Sequence, residues 1–592
     1  MHGVITLFMA TISRYKNTSL FIVVLALVSF IYSTHLSLTL IPKGYDLLFH
    51  LGNVFALQIK FGFNQNSLAS FGISPLIFHD YGYGTHLFYP PLAHFIPALI
   101  SFLLTKVHIN STILAIRLFS FITIFCSGAT MFFTAKKVTN NKVYAAFASL
   151  LYLSAPYLQM DYYWRGGMSS SLCFVFVPIL LLSLFYFIKE KFAPYLFTFV
   201  ISMTLIIWTH IITGFYIFII FMTALAVNFF FTKKKIAAIL STLVSGLMIG
   251  IMTSPFWSLL LQQYALHAHV IFSPNYQFTI AKVAHNTISF LELFDIQFAV
   301  WEFNIRSLTA IFNLITLIFF VAFVLLLRQI RKTLKNPRFF YTLIGLLIAL
   351  LMMATTQAFW RYLPDYFAYI QYPHRLLLQV TPVLSLLIAL PFVLIRAVTR
   401  KLLVALGFLG IFIVAYTFMF NNYQLYELGT IDYTTHSIIQ AMGVEQEYLP
   451  ANTKGKYYVI DNREYLLLPL TNAEYATPSA TIVTNETPYL LAEIENNESK
   501  QTIFELPRLF YAGYELKWRA EGASAAITLP YGQSKDGLIT TVIPGNGTLQ
   551  VQYTGGWWYT ALCFSAVVIL SYLFVLIYKY SYTKKPIWLE RI

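Results

Sequence analysis

Three short segments carry residue types suited to acid–base or phosphate chemistry. The first is Gly44-Tyr45-Asp46-Leu47-Leu48-Phe49-His50. From Asp46 to Ile59 the apolar residues recur at helical spacing, which places Asp46, His50 and Asn53 on one polar face. A carboxylate at the start of a helix stays ionised beside the positive end of the dipole and is suited to act as a general base. The same pattern also fits an Asp that caps a helix and a His at a membrane interface. The second segment is Gln159-Met160-Asp161-Tyr162-Tyr163-Trp164-Arg165-Gly166-Gly167. Here Asp161 is either a second acidic site or one half of a local ion pair with Arg165 that caps the next helix. The third is Ile370-Gln371-Tyr372-Pro373-His374-Arg375. A guanidinium fork matches phosphate oxygens, so Arg375, with His374 beside it, is a phosphate candidate. An arginine snorkelling among lipid headgroups is the competing reading.

Two further places are polar enough to matter. The run His79-Asp80-Tyr81-Gly82-Tyr83-Gly84-Thr85-His86-Leu87-Phe88-Tyr89-Pro90-Pro91 is dense in Tyr and His. These side chains offer hydrogen bonds and stacking faces, the usual lining of a sugar site. A divalent cation held by His79, Asp80 and His86 is admissible, although no standard ligand spacing is present. His210 lies where two apolar runs abut, in Trp208-Thr209-His210-Ile211, and is either structural or part of a site.

The elements that must position these residues are apolar. The chain has 592 residues, is 58% hydrophobic and only 11% charged, and 18% of it is aromatic. A soluble domain carries about 25% charged residues. A formal charge of +15 points away from nucleic acid, because the basic residues sit in short runs between apolar stretches. Twelve stretches are long enough to span a bilayer: about 18–40, 112–135, 143–160, 170–188, 194–210, 212–231, 236–260, 306–327, 339–357, 375–395, 402–420 and 557–578. The short basic connections, such as Lys136/Lys137/Lys142 and Lys233/Lys234/Lys235, fall in the cytoplasm by the positive-inside rule, and both termini join them. The N-terminal run reads as a retained span rather than a signal peptide. Residues 88–104 are apolar but short, and they carry Pro90, Pro91, Pro97 and His94. They read as a helix in the outer leaflet that does not cross it.

The composition changes at 421–556, which holds 15 of the 24 acidic residues and 8 of the 39 basic ones. Alternation at Leu538, Thr540 and Val542, and again at Leu549, Val551 and Tyr553, predicts strands joined through Gly545-Asn546-Gly547. The three cysteines lie in apolar stretches and imply no disulfide framework. The expected architecture is therefore an all-α polytopic membrane protein of about twelve transmembrane helices, with a β-rich extracytoplasmic domain. Its parts are a membrane module over 1–420 with a long first outer loop at 41–111, the β-rich domain at 421–556, and a last span with a basic cytoplasmic tail at 557–592.

Taken in order, these segments resemble the GT-C superfamily of polyprenyl-phosphate-dependent membrane glycosyltransferases. More narrowly they are similar to bacterial multispan proteins labelled "6-pyruvoyl-tetrahydropterin synthase-related", a label that reports no such activity. The carriers are Asp46 to His50, Tyr81-Gly82-Tyr83-Gly84 to Pro91, Ala155-Pro156-Tyr157 with Asp161 and Arg165-Gly166, and Gln371 to Arg375. Glu447-Tyr448-Leu449-Pro450 and Leu506-Pro507 to Ala512-Gly513-Tyr514 complete the set. The resemblance implies an acidic active-site residue in the first outer loop, where Asp46 stands, and a second after the third span, where Asp161 stands. It also implies a non-spanning helix in the first loop. Relatives often carry Trp where this chain has His374. They also tend to have Glu a few residues after the Arg-Gly pair, where Ser169, Ser170 and Ser171 follow here.

The implied activity is sugar transfer from a polyprenyl-phosphate donor to a glycan or glycopolymer acceptor on the outer face. Asp46 and Asp161 would be catalytic, and His50, Asp80, Tyr81, Tyr83, His86, Arg165, His210, His374 and Arg375 would bind substrate. The expected partners are the lipid-linked sugar, a cell-surface glycan and membrane lipid, in a bacterial plasma membrane. The sequence specifies no cofactor, and a divalent cation remains admissible. A flippase for lipid-linked sugars or a non-catalytic scaffold of envelope assembly are the alternatives.

Overall fold

The computed structural model describes residues 21–33, 40–42, 46–62, 72–74, 81–108, 112–266, 268–272, 279–294, 314–394, 425–427, 448–453, 468–469, 479–486, 489–495, 502–556 and 558–583. The chain divides into two compact units. Unit 1 comprises 1–58, 91–242 and 278–434, and unit 2 comprises 59–90, 243–277 and 435–592. The first outer loop is thus shared: its middle section belongs to unit 2 and its two ends to unit 1.

Unit 1 is helical. Its main elements are α1 (Phe21–Ser33), α2 (Leu47–Gly62, whose last four residues fall in unit 2), α3 (Leu92–Lys106), α4 (Thr112–Thr139), α5 (Lys142–Leu153), α6 (Pro156–Met160), α7 (Met168–Ile188), α8 (Phe192–Thr209) and α9 (Ile211–Phe229). They are followed by α10 (Lys235–Leu266), which runs on past the unit boundary, then α11 (Leu314–Thr333), α12 (Pro337–Thr355) and α13 (Pro373–Leu394). Among the described residues seven helices are long and apolar enough to cross a membrane: α4, α7, α8, α9, α10, α12 and α13. The protein is membrane-embedded and polytopic, with a separate β-sheet region. Leu240, Leu243, Leu247, Ile348 and Met352 are all more than half exposed, as apolar side chains are when they face lipid.

The stretch expected to span at 143–160 is not one helix. It breaks at Ser154-Ala155, Pro156 starts α6, and a single π-helical turn follows over Asp161–Arg165. Proline at a first helical position has no N–H to give the preceding turn, so α5 stops after 12 residues, about 18 Å. The stretch 88–104 forms the 15-residue α3 with Pro97 inside it. At about 22 Å it is shorter than a hydrocarbon core. The expected span at 402–420 lies outside the described residues.

Close helix approach is achieved by small residues. A Cβ on Gly128 of α4 would sit 2.5 Å from Leu25 of α1, and the Ser149 hydroxyl of α5 donates to the Gly128 carbonyl at 2.7 Å. The three cysteines are free thiols.

Unit 2 holds the sheets. A five-stranded antiparallel sheet has the order β4-β5-β11-β7-β8: Ser479–Glu486, Tyr489–Glu495, Gly547–Tyr553, Tyr514–Ala520 and Ile527–Leu529. A four-stranded sheet has the order β3-β6-β10-β9: Leu468–Pro469, Thr502–Leu509, Leu538–Ile543 and Tyr531–Gln533. The remaining pair, β1 (Leu40–Pro42) and β2 (Leu425–Glu427), belongs to unit 1. Leu549, Val551 and Tyr553 point inward as their alternation predicts. On β10 the phase differs: Ile539, Thr541 and Ile543 are buried while Val542 is exposed. The register slips between Leu538 and Ile539, and such a bulge turns every later side chain to the opposite face. Gly547 must be glycine, because a Cβ there would collide with the carbonyl oxygen of Arg519 on β7. The last helix, α14 (Trp558–Thr583), follows the sheets.

Candidate functional site

Unit 1 gathers the acidic and basic candidates around the π turn. Asp46 stands directly before α2, and its backbone N–H donates to the carbonyl of Arg165 at 2.8 Å. The Arg165 side chain returns the contact: Nε donates to Asp46 Oδ2 at 2.9 Å, and Nη1 donates to Asp161 Oδ1 at 3.2 Å. One guanidinium therefore bridges two carboxylates that are distant in sequence.

The local chain explains this geometry. Gly166 has φ 68°, the left-handed conformation that ends the π turn, and the Gly167 N–H donates to the Asp161 carbonyl at 3.0 Å. A Cβ on Gly167 would lie 2.5 Å from Ser170 Oγ and 3.3 Å from Asp161 Oδ1, so the glycine pair leaves room for the serines to reach the carboxylate. Ser170 Oγ donates to Asp161 Oδ2 at 2.6 Å and Ser171 Oγ to the same oxygen at 3.2 Å. The serines in place of an acidic residue are thus hydroxyl donors to Asp161.

The two carboxylates have different surroundings. Asp161 is 2% exposed, whereas the side chain of Asp46 is 42% exposed. Burial raises the Asp161 pKa, while Arg165 and the two serines oppose the shift. A buried carboxylate with both oxygens engaged holds its partner in place. One half-exposed, with a single oxygen held by Arg165, remains open to a substrate proton. The division of labour follows: Asp161 fixes Arg165, and Arg165 fixes Asp46.

His50 lies one turn below Asp46, and its N–H donates to the Asp46 carbonyl at 3.1 Å. The polar face predicted for α2 is turned inward rather than to water, with His50 at 2% exposure and Asn53 at 0%. Asn53 Nδ2 donates to the Phe49 carbonyl at 2.8 Å, and His50 Nδ1 lies 2.6 Å from His94 Nε2 of α3. Burial lowers the His50 pKa to about 4, with Arg165 adding to the effect and Asp46 opposing it. The imidazole is neutral near pH 7.

His210 sits between α8 and α9 and caps α9. Its Nδ1 accepts from the Thr213 backbone N–H at 3.2 Å and lies 2.7 Å from the Thr213 hydroxyl. Burial lowers its pKa well below the ordinary value, and Arg375, Arg165 and His50 push the same way. Tyr157 of α6 feels Asp161, Arg165 and Arg375. These shared fields bring Asp46, His50, Asp161, Arg165, His210 and Arg375 into one neighbourhood.

Arg375 is 8% exposed. Its Nη1 donates to Gln371 Oε1 at 2.7 Å and more weakly to the Ile370 carbonyl at 3.4 Å, and its guanidinium lies 5.3 Å from the Tyr372 ring centre. Its own carbonyl accepts from the Tyr216 hydroxyl at 3.0 Å. The Nε has no hydrogen-bond partner among the described residues. A buried guanidinium donor without an acceptor suits an anionic ligand. His374 is half-buried, with its ring 5.4 Å from that of Tyr372.

No protein-family model matches the chain, and no curated protein matches it. The functional reading therefore rests on the chain's own residues.

Tyr81, Tyr83 and His86 belong to unit 2, and Asp80 with His79 lies outside the described residues. Tyr81 is 3% exposed and Tyr83 1%. The Tyr83 hydroxyl accepts from the Tyr448 N–H at 3.3 Å, the Tyr81 carbonyl accepts from the Leu509 N–H at 3.0 Å, and His86 Nδ1 lies 3.2 Å from the Tyr89 carbonyl. Phe88 stacks on Tyr448 and His269 on Tyr511, at 5.2 Å in both cases. In this structure these rings are packed core of unit 2. Among the described residues no three His, Cys, Asp or Glu side chains form a metal-ligating group.

Three contributors were not singled out from the sequence: His94, the Ser170/Ser171 pair and Gln371. The signals available were a histidine in an otherwise apolar proline-rich helix, a serine run after two glycines, and a polar residue one helical turn before Arg375.

Proposed function

We propose that the chain is a membrane glycosyltransferase that moves a sugar from a polyprenyl-phosphate donor to a glycan acceptor on the outer face of a bacterial plasma membrane. The observation that carries the reading is the pairing of a half-exposed carboxylate, Asp46, with a buried guanidinium, Arg375, whose Nε has no acceptor among the described residues, within one charged neighbourhood. Asp46 takes the proton of the acceptor hydroxyl as its oxygen attacks the anomeric carbon. The bond from that carbon to the phosphate oxygen breaks, and the lipid phosphate leaves with the electron pair. This leaving group is already a stable anion and needs no general acid. Arg375 meets the phosphate charge. Arg165, anchored by Asp161, orients the Asp46 carboxylate.

This reading takes the arrangement of about twelve spans with both termini in the cytoplasm, so that Asp46 and Arg375 open to the exterior. Transfer is tested with the purified full chain in proteoliposomes, a panel of radiolabelled polyprenyl-phosphate hexoses and a saccharide acceptor. Labelled acceptor supports the transferase. Translocated but untransferred lipid would replace it by a flippase, and neither outcome would leave a scaffold.

A further inference from the structure

The sequence marks His94 only as a polar interruption in an apolar, proline-rich stretch. In unit 1 its imidazole is fully buried against that of His50, with Nε2 and Nδ1 2.6 Å apart. Phe49 stands edge-on to both rings, at 5.4 and 5.9 Å. Two ring nitrogens at this separation share one hydrogen, so one donates and the other accepts. That bond is directional and joins α2 to α3. His50 is in the same turn as Asp46, since its N–H bonds to the Asp46 carbonyl. Rotation of α2 that swung Asp46 away from its place would break the imidazole pair.

A proton relay from Asp46 into the pair does not suit these surroundings. With its pKa lowered to about 4, His50 disfavours the protonated form at neutral pH by about a thousandfold. Asp46 and Arg165 are the charges that face it, and they act in opposite directions. What remains for a pair of buried imidazoles is geometry. Apolar side chains would fill the space between two helices without fixing a rotation.

We propose that His94 is a positioning residue: through its bond to His50 it locks the first turn of α2, so that the Asp46 carboxylate meets the acceptor hydroxyl in one orientation. The proposal rests on the reading of Asp46 as the base. Two measurements on the full chain in lipid separate the pair from that reading. Nitrogen-15 spectra of labelled histidines need no substrate. They should show the two imidazoles coupled through a shared hydrogen, and His94→Leu should remove the coupling. Two independent imidazoles in the wild type overturn the proposal.

With a polyprenyl-phosphate hexose that the wild type uses as donor, His94→Leu should lower kcat by about 10–100-fold, with KM within about twofold. His94→Gln, which keeps a hydrogen bond to His50 and guards against misfolding of the leucine variant, should recover most of that loss. An unchanged kcat in a variant whose coupling is gone overturns the positioning role and leaves the transferase standing. A wild type that transfers no sugar from any donor removes the transferase and the positioning role with it, even where the spectra show the pair intact.

Discussion

The charged cluster of unit 1 and the aromatic cluster of unit 2 look equally promising in the sequence, yet they have different physical characters. Around Asp46 the polar groups are unequal. One carboxylate is half-exposed, its partner is buried, and a buried guanidinium has a donor without an acceptor among the described residues. Around Tyr83 the rings stack on one another and some hydroxyls bond backbone groups, as when the Tyr511 hydroxyl donates to the Tyr448 carbonyl at 3.0 Å, while His269 Nδ1 and the Tyr514 and Tyr553 hydroxyls have no partner among the described residues. Neutral rings and hydroxyls enclosed by one another hold a structure together. A half-exposed carboxylate and a buried charged donor are the groups available to a substrate.

The largest effect is expected at Asp46. Asp46→Asn should lower kcat by about 10²–10⁴-fold with the protein still folded and inserted, as expected for a lost general base. An activity within a fewfold of wild type would remove Asp46 from the chemistry. Arg375→Ala should act next, raising KM for the lipid donor by about 10–100-fold, the equivalent of one charge-assisted hydrogen bond, with a smaller change in kcat. Donor titrations at several concentrations separate the two parameters.

The buried pair of His50 and His94 predicts a pH effect on stability. The folded pKa of His50 is depressed from about 6.5 to about 4, so the unfolded chain binds the proton more readily. The stabilisation is fully present above pH 6.5 and is lost as the pH falls toward 4. By pH 5 the loss should reach about 2 kcal/mol. Thermal unfolding in detergent at pH 7.5 and pH 5, compared between wild type and His50→Gln, checks this; equal shifts in both would refute it.

The smallest effect is expected in unit 2. Tyr511→Phe removes one hydrogen bond and should cost about 1 kcal/mol of stability while leaving kcat and KM unchanged. A large rise in acceptor KM in that variant would break the comparison by giving the aromatic cluster a substrate role.

Much of this architecture is legible in the sequence because it depends on composition and period. The apolar runs that become α4, α7, α8, α9, α10, α12 and α13 are visible as lengths, and the inward set on β11 is visible as alternation. Burial is not visible in the same way. The polar face of α2 is visible as a spacing, but its inward turn is not, because His50 meets a partner, His94, 44 residues away. The break before Pro156 is written in the proline, whereas the π turn after it depends on Arg165 reaching back to Asp46 and Asp161. The phase of β10 fails at a bulge, a feature that alternation alone does not reveal. Ser170 and Ser171 read as a missing acidic residue until their hydroxyls are seen on Asp161.

Everything proposed for catalysis requires the carboxylate and the phosphate-binding end of α13 to open on the same side of the membrane. Single cysteines placed at 46 and at 374, in a background without Cys126, Cys173 and Cys563, can be challenged with a membrane-impermeant maleimide on intact cells. Both positions should label from outside before lysis. Labelling of one only after lysis would put them on opposite faces and contradict the shared site.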